Sequence, residues 1–177
     1  MGYTTDFFGA FQLDKPLSNE LKTFLTNFSD TRRMKRNLDM EYGIEGEFFV
    51  NGGGDSGQAI ETNIVELNYP PRTQPGLWCQ WTPNEDGTEI MWDGCEKFYH
   101  YTEWLNYIIH KFLKPNGYTL NGEVKFQGED SIDSGRIVVK NNIVYIRDSI
   151  QEPNDYMEID TVFSLMSQRN KGEFPPC

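Results

Sequence analysis

Cysteine, histidine and long apolar runs are scarce in this chain of 177 residues, and each shortage narrows what it can be. The three cysteines, Cys79, Cys95 and Cys177, are odd in number and lack the Cys-x-x-Cys spacing of zinc or redox sites. That pattern predicts reduced thiols and no disulfide framework. Only two histidines occur, His100 and His110. On one helix they would stand ~15 Å apart along the axis, too far to share a metal ion. No apolar run approaches the ~20 residues that cross a bilayer. The opening Met-Gly-Tyr-Thr-Thr-Asp-Phe-Phe has no basic region followed by an apolar stretch, and Asp6 stands where a myristoylation pattern wants Ser or Thr. The expectation is a cytoplasmic protein without a membrane partner. Gly52-Gly53-Gly54 lacks the lysine and spacing of a phosphate-binding loop, and no strand–helix unit surrounds it, so it reads as a turn.

Aromatic and acidic residues are what the chain has in plenty. Phe, Tyr and Trp make up 14% and the hydrophobic fraction is 37%. At this length folding buries roughly 70% of the unfolded surface without a staple. The formal net charge is −11, which repels anionic lipid and disfavours duplex nucleic acid. Against it stands Thr31-Arg32-Arg33-Met34-Lys35-Arg36, which holds four of the 16 basic residues and leaves −15 on the remainder. Acidic faces keep a protein soluble or attract a basic partner. The basic cluster is either a solvated helix end or an anion site.

Periodicity supplies the architecture. Residues 3–13 predict a strand broken at Gly9, with Phe7, Ala10, Phe11 and Leu13 inward. Ser18 is the expected N-cap of a helix whose apolar face carries Leu21, Phe24, Leu25 and Phe28 and which ends near residues 28–31. The basic cluster then falls in the connection behind it, where cations suit a helix C-terminus. Short strands are expected at 46–50 and 63–68, with a glycine-rich loop at 51–57. A hairpin follows, with arms 76–82 and 88–92 around Pro83-Asn84-Glu85-Asp86-Gly87. The strongest helix pattern covers 97–113, where Phe98, Tyr101, Leu105, Ile108, Ile109 and Phe112 form one stripe. Strands at 118–127, 135–140 and 143–147 complete the pattern, the last two joined by Asn141-Asn142. Together these predict an α+β fold: a single domain over residues 1–150, with a mainly antiparallel sheet and two principal helices packed on it. Residues 151–177 read as a C-terminal extension, with a partly packed short helix at 156–166 and then a frayed tail.

Thr31-Arg32-Arg33-Met34-Lys35-Arg36, Gln74-Pro75-Gly76-Leu77-Trp78-Cys79-Gln80-Trp81, and Leu120-Asn121-Gly122-Glu123-Val124 with Gln127-Gly128-Glu129-Asp130 together resemble a family of bacterial and phage proteins without an assigned activity. The resemblance covers residues 3 to about 146 and spares the tail. It implies no activity or cofactor; the phage association implies a role in host–phage conflict as an expectation.

Two functional classes emerge. In the first, a non-catalytic binding protein, Trp78, Trp92, Tyr99 and Trp104 line a partly open aromatic surface, approached by Arg32, Arg33, Lys35 and Arg36. Stacking platforms with guanidinium groups hold a nucleotide-like small molecule, a single-stranded segment or a protein hot spot. Inhibition or sequestration are the roles that fit, with no cofactor and no metal. The alternative is a small metal-assisted hydrolase or nucleotide-processing enzyme using Glu129, Asp130 and Asp133, although Glu-Asp-Ser-Ile-Asp-Ser-Gly lacks an EF-hand order. A nucleophilic Cys95 paired with His100 or His110 is a remoter possibility, since sparse cysteines are usually small core hydrophobes.

Overall fold

Gly9, at φ 107°, splits the first extended run into two strands without changing its register. The computed structural model describes residues 2–36, 64–148 and 157–158. There β1 (Thr5–Phe8) and β2 (Ala10–Leu13) lie one after the other along the same partner strand. The Ser18 hydroxyl accepts a hydrogen bond from the Leu21 amide at 3.2 Å and opens α1 (Asn19–Ser29), with Glu20 in its first turn. The basic cluster follows as a connection, and its end forms β3 (Lys35–Arg36), paired with β4 (Ile64–Glu66) in a separate two-stranded ladder. The expected strand at 46–50 and loop at 51–57 lie outside the described residues.

The hairpin pairs β5 (Trp81–Pro83) with β6 (Glu89–Trp92) and sets Trp81 opposite Trp92. Its turn is held by Asn84, whose Oδ1 accepts the Thr88 and Glu89 amides at 2.8 and 3.1 Å, and by Gly87 at φ 69°. The first arm is shorter than its sequence pattern, because residues 76–80 run irregularly behind Pro70, Pro71 and Pro75.

Helix α2 (Tyr101–Ile108) starts later than the stripe beginning near residue 97 suggests. Lys97 and His100 take left-handed φ values of 62° and 57°, which a right-handed helix cannot include. The helix continues through a π-turn at Ile109–Leu113 and a tight turn at Lys114–Asn116, stopped by Gly117 at φ 75°. The π-turn widens the buried stripe, so Ile108, Ile109, Phe112 and Leu113 are all enclosed.

Three long strands follow: β7 (Leu120–Gly128), β8 (Ser134–Lys140) and β9 (Ile143–Asp148). Asn141 and Asn142, at φ 50° and 69°, make the two-residue turn between the last two. The short β10 (Met157–Glu158) adds to β9, so these two residues are extended where a helix was expected; the rest of 156–166 lies outside the described residues. The sheet runs β10-β9-β8-β7-β2-β6-β5 with every described pairing antiparallel, and β1 also lies against β7.

One face of the sheet presents Phe7, Phe11, Ile90, Val124 and Phe126 to Leu25 and Phe28 of α1 and to Trp104, Leu105 and Phe112 of the second helical segment, forming one core. The fold is therefore α+β, a mainly antiparallel sheet with two principal helices in a single body. Among the described residues no helix is long and apolar enough to cross a membrane.

Candidate functional site

A cleft of about 700 Å³ opens where three irregular segments meet: the C-terminal end of α1, the proline-rich stretch 70–80, and the loop 93–100 before α2. The prolines and the backbone bond from the Arg33 amide to the Leu77 carbonyl (2.7 Å) fix one wall. Trp78, half-buried, and Tyr99, 49% exposed, give aromatic surface. Asp30, Asp93 and Glu96 give negative charge, with Lys97 and His100 on the same rim.

The loop 93–100 is held against its own conformational preference. Two non-glycine residues in the left-handed region cost of order 1–3 kcal/mol each and persist only where surroundings over-determine them. Gln80, almost fully buried, does much of that work. Its Nε2 donates to the Glu96 carbonyl at 3.0 Å, its Oε1 accepts the Trp92 indole N–H at 3.1 Å, and its backbone carbonyl accepts the Asp93 amide at 3.0 Å. Trp92 Nε1 also reaches the Cys95 carbonyl at 3.1 Å, and the Tyr99 hydroxyl accepts the Tyr3 amide at 3.1 Å. The sequence gives Gln80 no bracing role, since its partners at Trp92, Asp93 and Glu96 are brought to it only by the fold.

Electrostatically the cleft favours a cation. Burial raises the Asp93 carboxyl above its ordinary range, with the Asp30 charge adding to the rise, while the Cys95 amide bond at 2.8 Å opposes it. The Cys95 thiol is pushed up first by partial burial and then by Asp93 and Asp30, which disfavours the thiolate. A raised thiol is a poorer source of thiolate, although His100 lines the same cleft. The His100 Nδ1 instead lies 3.7 Å from Glu103 Oε1. Cys79 is enclosed and pushed up to about 12 by burial.

Of the residues expected to form one surface, the structure brings Trp78 and Tyr99 together in the cleft. Trp92 braces the loop beside them and packs edge-on against Phe7. Trp104 and Arg33 are both fully buried and face each other, with the guanidinium 5.1 Å from the indole ring, so neither lines an open surface. Burial of the guanidinium lowers its pKa to about 10. Arg32 Nη2 binds the Leu67 carbonyl and Asn68 Oδ1, both at 3.2 Å. Lys35 is exposed in the β3–β4 ladder and is not among the residues that line the cleft, and Arg36 follows it in the same ladder. Arg32, Arg33 and Lys35 therefore do not converge on the aromatic wall as an anion site.

Glu129, Asp130 and Asp133 are occupied in the β7–β8 turn. Glu129 Oε1 accepts the Thr4 amide at 2.8 Å, Asp130 Oδ1 the Ile132 amide at 3.2 Å, and Asp133 Oδ2 the Tyr3 hydroxyl at 2.6 Å. Among the described residues no group of three or more His, Cys, Asp or Glu is placed to hold a metal ion.

No family model matches the chain, and neither a curated protein nor a solved structure matches it.

Proposed function

We propose that this is a binding protein whose cleft receives a cationic group, an arginine or lysine side chain of a protein partner, with its alkyl or guanidinium part against Trp78 and Tyr99. The observation that carries the reading is the juxtaposition of aromatic wall and carboxylates. Asp93 is partly desolvated beside Asp30, a charge arrangement that a bound cation relieves, and Trp78 and Tyr99 supply aromatic surface of the kind guanidinium groups pack on. A nucleotide is less well served there, because its phosphates would meet three carboxylates. Capturing a basic segment of a partner is also how an inhibitor in host–phage conflict would use this cleft.

The test is a thermal-shift comparison of the full chain with capped arginine, lysine and glutamate dipeptides. A ligand at 100 times its dissociation constant adds about 2.7 kcal/mol, so stabilisation by the cationic peptides alone is expected to be visible. Equal shifts from the glutamate peptide, or none from the cationic ones, contradict the reading.

A further inference from the structure

The end of the second helical segment and the β8–β9 turn enclose a small pocket of about 140 Å³, which shares no lining residue with the cleft. His110 and Lys114 form one wall, four residues apart and so on one helical face. Asn141 and Asn142 form the other, with Ile143 and the buried Val144 beside them. Both walls are held in place by bonds that leave the pocket side free. Asn142 Nδ2 donates to the Tyr118 carbonyl at 2.9 Å and its Oδ1 accepts the Leu120 amide at 2.7 Å. The Asn141 backbone amide donates to Asn121 Oδ1 at 2.8 Å, so the turn is tied to β7. On the helical side the last carbonyls are already satisfied. Phe112 accepts Asn116 Nδ2 at 2.7 Å, Leu113 the Tyr118 amide at 3.0 Å and Lys114 the Gly117 amide at 3.0 Å. The Lys114 ammonium is therefore not spent on capping the helix end. The side chains of His110, Lys114 and Asn141 have no hydrogen-bond or ion-pair partner among the described residues.

Among the described residues no carboxylate lines this pocket. On the same helical face Glu103 stands ~10 Å along the axis from His110, where it accepts the Thr102 hydroxyl at 2.7 Å and faces His100 at 3.7 Å. Asp14 and Lys15, just past β2, are opposite in charge: Asp14 Oδ1 accepts the Thr119 amide at 2.9 Å, and the Lys15 ammonium lies 4.8 Å from the centroid of the Tyr118 ring. We infer that the pocket binds a single phosphate group, with the Lys114 ammonium, a His110 ring N–H and the Asn141 side-chain amide as its donors. An imidazole has an N–H to give in either charge state, and three donors from two walls suit a tetrahedral oxyanion. The volume lies below the ~300 Å³ at which sites for whole small molecules begin, so the guest inside is the ionic group itself. Free phosphate and a phosphomonoester present the same chemistry here. The site does not depend on the cleft.

The experiment follows the backbone amide signals of the isotope-labelled full chain in NMR titrations with inorganic phosphate, capped phosphoserine and acetate at constant ionic strength. Saturable shifts centred on His110, Lys114, Asn141 and Asn142 are expected with both phosphates, and weaker binding with acetate. Lys114→Gln and His110→Gln, both at exposed positions, are each expected to weaken phosphate binding about tenfold with unchanged melting temperature. Asp93→Asn in the cleft is expected to leave it unchanged. Tighter binding of capped phosphoserine assigns the site to a phosphorylated partner, and preference for inorganic phosphate assigns it to the free ion. Absence of saturable shifts at these residues with both phosphates overturns the inference. So does acetate binding as tight as phosphate, or phosphate affinity unchanged by Lys114→Gln or by His110→Gln.

Discussion

The Arg33 guanidinium sits 3.8 Å from the centroid of the Phe28 ring, inside the protein. It links α1 to Trp104 of α2 and, through the Arg33 amide, to the wall of the cleft at Leu77. A cation used this way is a structural element, and its charge is held against burial.

Arg33→Ala is therefore expected to destabilise the fold by about 3 kcal/mol, the scale of a large core truncation, in urea denaturation. Arg33→Lys should also destabilise, since a compact ammonium covers the two rings less well and is more strongly hydrated. A loss under about 1 kcal/mol in both variants would show the stack to be incidental.

Gly122, at φ 131°, is opposite Phe11 in the β2–β7 ladder. A methyl group there would stand 3.3 Å from the Ala10 carbonyl oxygen and the Phe11 Cα. Gly122→Ala combines a left-handed penalty with backbone contact and should lower stability by about 2 kcal/mol or more. A melting temperature equal to wild type would contradict this account of the sheet.

Cys79 gives a pH signature with a definite sign. Its thiol is raised from 9.0 to about 12. Its contribution is present below pH 9 and is lost as pH rises toward 12, because the unfolded chain ionises first. Arg33, lowered from 12.5 to about 10, acts in the opposite direction only above pH 10. Between about pH 9 and 10 wild type should thus lose stability relative to Cys79→Ala, by at most about 1 kcal/mol per pH unit. Parallel stability curves for the two proteins would refute the assignment.

Substitutions of the aromatic wall and of the arginine cluster should separate cleanly. Trp78→Ala is expected to weaken cationic-peptide binding about tenfold. Arg32→Ala should leave that binding intact and loosen the segment around Leu67 and Asn68, read as faster amide exchange there. The reverse pattern would return the binding role to the arginines.

Local signals were legible in the sequence wherever local chemistry decides. Ser18 caps its helix, Asn141-Asn142 turns its hairpin, and Gly9 breaks its strand because each depends on its own dihedrals or a neighbour three residues away. The start of α2 was not legible: Lys97 and His100 are left-handed in a loop tied from afar through Gln80 and through Tyr3 to Tyr99. Arg33 could not be told from Arg32 by composition, since only packing puts one inside and the other at the ladder. Trp78 and Tyr99 were found as aromatics, while their approach to Asp30, Asp93 and Glu96 comes only from the packing of three irregular segments distant in sequence.

The most direct test of the cleft is calorimetric titration of the full chain with a capped arginine dipeptide, on wild type and on Asp93→Asn. The substitution keeps an acceptor oxygen for the Cys95 amide and removes the charge. Saturable binding to wild type, weakened about tenfold in Asp93→Asn and by added salt, is the predicted result. Equal affinity for the two proteins, or no binding to wild type, would contradict a cation-receiving cleft.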